Sequence, residues 1–115
     1  MKLYGIPNCD TVKKARAWLS KHNIEVEFYD FKKHGVNAEL SQNWLQQAPW
    51  EQLINRKGTT WRGFTDAQKV IANNQAAQRL MQENTSVIKR PLLEQDGKLL
   101  QIGFDETAYT QLLNL

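Results

Sequence analysis

Residues 2–18, KLYGIPNCDTVKKARAW, constrain the fold most, because they change from strand to helix within a few positions. The apolar run over residues 3–6 has strand character, and Pro7-Asn8 interrupts it. From residue 12 onward apolar side chains recur at spacings of three and four, which predicts a helix that stops near Asn23. Cys9 therefore lies where a strand gives way to a helix.

Cys9 is the only cysteine of the chain, and its position has chemical consequences. A thiol reacts as its thiolate, and the free N–H groups and dipole at a helix N-terminus lower the thiol pKa. Lys13 and Lys14 are expected to lower it further, whereas Asp10 opposes them. The pattern predicts a reactive thiol; the alternative is a small buried side chain with only a packing role.

Length and composition limit the class of protein. At 115 residues the chain is predicted to form one domain over 1–115. The net charge of +3 comes from mixed charges, which does not favour direct nucleic-acid binding. A single cysteine excludes an intramolecular disulfide and a cysteine-based zinc cluster, and no metal is expected. No signal peptide and no membrane-length apolar run are present, so we expect a cytoplasmic protein without membrane contact.

The following segments predict a second strand and then a helical block. Residues 26–31 are rich in aromatic and β-branched side chains and predict a strand parallel to the first. A helix is predicted from Asn37 to Ala48-Pro49, then a short helix over 50–55 and a loop over 56–63. The capping box of residues 65–68 predicts a further helix that ends near Asn84. Residues 32–35 are predicted to form a loop.

The last third of the chain predicts a hairpin and a helix. Two strands, over 87–94 and 98–102, flank Asp96-Gly97, which is a strong turn signal. Asp105 caps a final helix whose inward side chains are predicted to be Ala108, Tyr109, Leu112 and Leu113. The order β-α-β, a helical insertion over 37–84, then β-β-α predicts an α/β protein with a mixed sheet and a thioredoxin-like fold. In this architecture the loop that ends in Arg90-Pro91 lies near Cys9, and the sequence leaves the isomer of that peptide bond open.

Three motifs make a family resemblance specific. LYGIPNCDTVKKARAWL, NRKGTTWR at 55–62 and IKRPL at 88–92 together resemble the arsenate reductase (ArsC/Spx) family, and within it the small YffB-like branch. The resemblance spans essentially the whole chain. It implies a thioredoxin-like fold with a helical insertion, and Cys9 as the nucleophile. It also implies glutathione as a co-substrate that resolves the Cys9 adduct, with glutaredoxin as a partner in arsenate-reducing members.

The resemblance also implies a set of anion-binding residues. By position in the motifs, Arg56 and Arg90 match two of the three arginines that hold an oxyanion in such arsenate reductases. The third should lie near residues 100–103, where Gln101, Ile102 and Gly103 stand instead. Arg62 is a hypothetical substitute, and the alternative for each arginine is a solvated surface charge. The predicted substrate-binding residues are Asn8, Lys13, Arg56, Arg62, Arg90 and Pro91.

Three functions follow from these features. The first is a glutathione-dependent thiol reductase or transferase, in which external glutathione must resolve the adduct because Val12 stands where a two-cysteine motif has its second cysteine. The second is an Spx-like regulator that binds the RNA polymerase α-subunit without catalysis. The third is a glutathione- and glutaredoxin-coupled arsenate reductase, which the missing arginine argues against.

Overall fold

A computed structural model describes all 115 residues and contains one sheet of four strands. The strand order is β2-β1-β3-β4. The first pair, β1 and β2, is parallel, and β3 runs antiparallel to both of its neighbours. The predicted α/β thioredoxin-like fold with a mixed sheet is confirmed. The strands are β1 Lys2–Gly5, β2 Glu27–Asp30, β3 Leu92–Gln95 and β4 Lys98–Ile102.

Seven helices accompany the sheet, and three of them are single turns of four residues. None combines the length and the apolar character that crossing a bilayer requires. A short 3₁₀ turn, Thr85–Val87, follows the sixth helix. The helices are α1 Asp10–Lys21, α2 Phe31–His34, α3 Ala38–Gln47, α4 Trp50–Leu53, α5 Thr59–Arg62, α6 Asn74–Glu83 and α7 Glu106–Leu112.

The chain divides into two compact units. The sheet unit comprises Met1–His34 and Arg90–Leu115, and it holds all four strands together with α1, α2 and α7. The helical unit comprises Gly35–Lys89 and encloses the range 37–84 predicted as an insertion. That these parts form one domain stays a prediction.

The core of the sheet unit lies where α1 and α7 cover one face of the sheet. Leu3 of β1 and Leu93 of β3 point to this face together with Leu19 of α1, and all three are buried. The rings of Trp18 and Tyr109 meet edge to face with centroids 5.6 Å apart. The apolar period read from the sequence of α1 is therefore the face that the helix buries.

The helical unit has a core of its own, built mainly from α3, α4 and α6. The buried side chains include Trp44, Leu53 and Met81. Ile54 pairs with Ile88 in an isolated antiparallel bridge, which ties the end of α4 to the segment after the 3₁₀ turn. The backbone bond from Lys89 N–H to the Leu53 carbonyl, 2.7 Å long, extends that pairing.

The predicted strand over 87–94 is wrong in its first half. Val87 closes the 3₁₀ turn and Ile88 forms only the isolated bridge, so β3 begins at Leu92. The reason is Pro91, which has no N–H to donate to a ladder and so stands just before the strand. The Arg90-Pro91 peptide bond is cis, which answers the question the sequence left open.

The helix predicted from residue 65 to Asn84 is wrong in its first half, because a second cap interrupts it, whereas its predicted end near Asn84 is confirmed. The capping box forms: Thr65 N–H donates to Gln68 Oε1 at 2.8 Å and Gln68 N–H donates to Thr65 Oγ1 at 3.2 Å. It closes only a turn, and Val70, just beyond it, is 72% exposed. The helix starts later, where Asn73 Oδ1 accepts a 2.8 Å bond from Ala76 N–H.

Two predicted loops contain helical turns, and one inward side chain is misplaced. Asp30 Oδ1 accepts hydrogen bonds from the N–H groups of Lys32 and Lys33, both at 3.1 Å, and so caps α2. This helical turn occupies most of the range 32–35 that was predicted to be a loop. Within 56–63, Arg62 N–H donates to Gly58 O at 3.1 Å and forms α5. Leu112, which was predicted to point inward, is 41% exposed, because the short helix α7 buries only the Tyr109 side chain fully.

Candidate functional site

Cys9 is the N-cap residue of α1. Its backbone is extended, with φ −140° and ψ 124°, and its carbonyl accepts the first helical bond from Lys13 N–H at 2.9 Å. At this position a serine or aspartate side chain would accept a bond from the second or third helical N–H. The Cys9 sulfur does not form a full capping hydrogen bond, but the N–H groups of Val12 and Thr11 face it closely enough to act on its charge.

Opposing effects set the pKa of the Cys9 thiol. Burial is the largest single effect and raises the pKa, since the sulfur is partly removed from water. The N–H of Val12, the hydrogen bond and charge of the Arg90 side chain, and the N–H of Thr11 all lower it. Together they outweigh burial, and the net pKa is lowered from its ordinary value. The thiolate is thus favoured at this position.

Arg90 reaches the sulfur because of how β3 joins the sheet. It precedes buried Pro91, whose carbonyl accepts a 2.8 Å bond from Gly103 N–H. Immediately afterwards Leu92 pairs with Tyr4 on β1, the strand that leads into Cys9. Of the predicted substrate-binding residues that are distant from Cys9 in sequence, Arg90 is therefore the one whose side chain reaches the sulfur.

The segment 100–103, where the resemblance places a third arginine, runs beside Pro91. Ile102 pairs with Leu92 across the hairpin, and Gly103 makes the bond to Pro91 described above. Gln101 folds back, with Nε2 at 3.5 Å from the Ile102 carbonyl. The segment 100–103 carries no charged side chain.

Asn8 and Lys13 lie exposed on either side of Cys9. The expectation that Lys13 and Lys14 supply the charge that lowers the thiol pKa needs correction. Arg90 is the side chain that lowers it, with backbone N–H groups. The lysines belong to the exposed face of α1, away from the buried stripe that faces the sheet. Their predicted role in binding a substrate stays a prediction.

Arg56 and Arg62 belong to the helical unit and are both exposed. The Arg56 guanidinium lies 5.3 Å from the ring centroid of Trp50, within the range of a cation–π contact. Asn55 shapes the turn that carries it, because Asn55 Oδ1 accepts a 3.0 Å bond from Lys57 N–H. Arg62 ends α5. Their predicted part in substrate binding stays a prediction.

Gly5 is a site residue that the sequence reasoning missed. A Cβ built at Gly5 would lie 2.9 Å from Val12 Cγ2, so only glycine allows this approach of α1 to β1. The available signal was an isolated glycine inside a strand pattern, which often marks a close approach of backbones. No group of three or more His, Cys, Asp or Glu side chains is arranged to hold a metal ion.

Comparison with known proteins identifies the family. The family model described as "ArsC family" matches residues 4–112. The chain belongs to the ArsC family. This confirms the predicted resemblance and leaves the reaction open.

Individual ArsC-family relatives cover nearly the whole chain. A solved structure named YFFB is 41% identical, with a TM-score of 0.90 and 96% of each chain covered. An arsenate reductase (ArsC) related protein from Brucella melitensis is 45% identical, with a TM-score of 0.78 over 100% of this chain and 97% of its own. The global transcriptional regulator Spx of Streptococcus agalactiae is 30% identical, over 90% of this chain and 76% of its own length.

Proposed function

We propose that this ArsC-family protein is a thiol oxidoreductase that uses Cys9 as its single nucleophile and glutathione as its co-substrate. The observation that carries the proposal is the pairing of a half-buried N-cap sulfur with the Arg90 side chain, which lowers the pKa of the Cys9 thiol. A thiol with a pKa near ambient pH is the best attacking group in disulfide exchange. Membership of a family with arsenate-reductase-related members supports redox chemistry at this cysteine.

The proposed reaction has two exchange steps. The Cys9 thiolate attacks the glutathione sulfur of a mixed disulfide, a Cys9–glutathione disulfide forms, and the substrate sulfur leaves as a thiolate that water protonates. A glutathione thiolate then attacks the adduct, releasing oxidised glutathione and restoring the Cys9 thiolate. External glutathione is required in the second step because the chain has no second cysteine.

Arg90 serves two purposes in this proposal. Its positive charge stabilises the Cys9 thiolate, both in the resting protein and when glutathione displaces that thiolate from the adduct. The guanidinium fork also matches a carboxylate, and glutathione carries two carboxylates. The proposed contact surface in the sheet unit also includes Asn8 and Lys13, which are exposed, and Pro91, which follows Arg90.

Arsenate reduction is the second candidate, favoured by the name of the Brucella melitensis relative. The uncharged segment at Gln101, Ile102 and Gly103 argues against it, since a tetrahedral oxyanion with more than one charge needs several fixed cations. An Spx-like role, binding the RNA polymerase α-subunit, is the third candidate and is favoured by the 30% identity to Spx. That role requires no reaction at Cys9.

The test is turnover of a glutathione–peptide mixed disulfide with reduced glutathione, together with intact mass after exposure to oxidised glutathione. We expect one glutathione adduct on Cys9, none on Cys9→Ser, and turnover that Cys9→Ser abolishes. Arg90→Gln should lose about tenfold in rate, the effect of removing one charge-assisted hydrogen bond. Arg79→Gln, an exposed arginine of α6, is the matched control and should leave the rate unchanged.

Other outcomes would favour the other candidates. Turnover by Cys9→Ser equal to that of the unmodified protein would contradict the proposal. Cys9-dependent turnover of arsenate with glutathione and glutaredoxin, without turnover of the mixed disulfide, would favour arsenate reduction. Capture of the RNA polymerase α-subunit that Cys9→Ser retains, with neither reaction present, would favour the regulator.

A further inference from the structure

The buried end of β1 is packed against the first turn of α1 at a contact that leaves no room for a side chain. Gly5 is the last residue of the strand, and a Cβ there would lie 2.9 Å from Val12 Cγ2 and 3.2 Å from Val12 Cγ1. On the other side Phe28 Cε1 would be 3.6 Å away. A Cβ at Gly5 could fit only if one of these neighbours moved.

Val12 is the neighbour that must give way, and it has little freedom to do so. Its side chain is 0% exposed, and valine in a helix has one strongly preferred rotamer, so rotation about χ1 offers no relief. The cores of proteins are packed too densely to absorb a methyl group without a backbone shift. A Cβ at Gly5 would therefore push the first turn of α1, which carries Cys9, away from β1.

Arg90 would not follow that movement, because it is fixed to the sheet. The strand that begins after it pairs with β1 at Leu92 and Tyr4, and Gly103 holds the Pro91 carbonyl. Cys9 moves with α1 while Arg90 stays with β3. The separation between β1 and α1 thus controls the distance between the sulfur and the guanidinium.

We propose that Gly5 is a positioning residue for Cys9: by lacking a Cβ, it lets Val12 seat against β1 and sets the contact between the sulfur and Arg90. Gly5 itself touches no reacting atom. The inference deepens the proposed function, since it rests on Cys9 acting as a thiolate. It adds a residue that is remote from the chemistry and acts through a packing contact.

The experiment measures the pH dependence of Cys9 alkylation by iodoacetamide in Gly5→Ala. The midpoint should rise by about half to one pH unit, as expected for partial loss of one charge-assisted hydrogen bond. The double variant Gly5→Ala/Val12→Ala should return the midpoint to its original value, because alanine removes both clashing methyl groups and keeps the residue 12 N–H. Gly63→Ala is the matched control: its Cβ would meet nothing nearer than 3.5 Å, and no change is expected.

The outcomes distinguish the positioning role of Gly5 from the proposed function of Cys9. A folded Gly5→Ala protein, judged by circular dichroism, with an unchanged midpoint would overturn the positioning role and leave the proposed function standing. An ordinary thiol midpoint in the unmodified protein would overturn the proposed function itself. If Gly5→Ala does not fold, the series Gly5→Ala and Gly5→Val in the Val12→Ala background replaces it. There the midpoint should rise with side-chain volume, and equal midpoints would overturn the inference.

Discussion

At the scale of single residues, the chemistry of the site depends on which groups surround one sulfur atom. Burial alone would make Cys9 a poor nucleophile, because it raises the pKa of the thiol. The N–H groups of Val12 and Thr11 and the charge of Arg90 reverse that effect. Arg90 is the only side chain among the groups that lower the pKa. Without it, the Cys9 sulfur would have backbone N–H groups nearby but no positive charge.

A second buried group, the Tyr109 hydroxyl, gives a prediction at the same scale. It is fully buried with no hydrogen-bond partner, and burial raises the pKa of Tyr109 above its ordinary value of 10.0. Because the folded pKa is the higher one, ionisation favours the unfolded state, and stability is lost as the pH rises above the unfolded pKa towards the folded one. Since the neutral hydroxyl has no hydrogen-bond partner, Tyr109→Phe should be as stable as the unmodified protein near neutral pH, or more stable by up to about 1 kcal/mol.

Urea unfolding at about pH 7 and about pH 11 measures both parts of this prediction. Between those values the variant should lose less stability than the unmodified protein. Tyr4, whose pKa is raised by burial and then by Glu94, remains in both proteins and continues to oppose alkaline conditions. A loss of more than about 2 kcal/mol in Tyr109→Phe near neutral pH would mean that the hydroxyl makes an important hydrogen bond.

At the scale of helices and strands, the sequence predicted best where the signals are local. The Asp96-Gly97 turn is an example: both residues have positive φ, 51° and 81°, as the predicted hairpin requires. Asn37 and Asp105 cap α3 and α7 through their own side chains, as their positions indicated. In each case residues within three positions of each other decide the structure.

The errors arose where two local signals compete or where a distant partner decides. The capping box at 65–68 and the cap at Asn73 both specify a helix start, and the periodicity could not tell which one the helix obeys. For the site, the sequence placed Cys9 at a strand–helix junction, but the Gly5–Val12 packing depends on how closely α1 approaches the sheet. Side-chain periodicity carries no information about that distance.

The two competing caps give a prediction for α6. Asn73→Ala removes the bond that Asn73 Oδ1 accepts from Ala76 N–H, and should lower the free energy of unfolding by about 1 kcal/mol. Thr65→Ala removes a similar bond that closes only a turn, and should cost less than half of that. Urea unfolding of both variants checks the order. A larger loss for Thr65→Ala would indicate that the helix begins at the capping box.

At the scale of the whole molecule, sheet topology explains why Cys9 and Arg90 meet. The strand β1 is central, with β2 parallel on one side and β3 antiparallel on the other. An antiparallel pair brings the end of one strand beside the start of the other. Since Cys9 follows the end of β1 and Arg90 precedes the start of β3, both lie at the same end of the sheet.

The central claim is that folding itself lowers the pKa of the Cys9 thiol, and one measurement tests it directly. The pH midpoint of Cys9 alkylation is determined for the folded protein and again in concentrated urea, where the sulfur has no fixed neighbours. The account predicts a lower midpoint in the folded state, so that the thiolate adds stability above the unfolded pKa and loses it as the pH falls through the folded pKa. A folded midpoint equal to or above the unfolded one would contradict it.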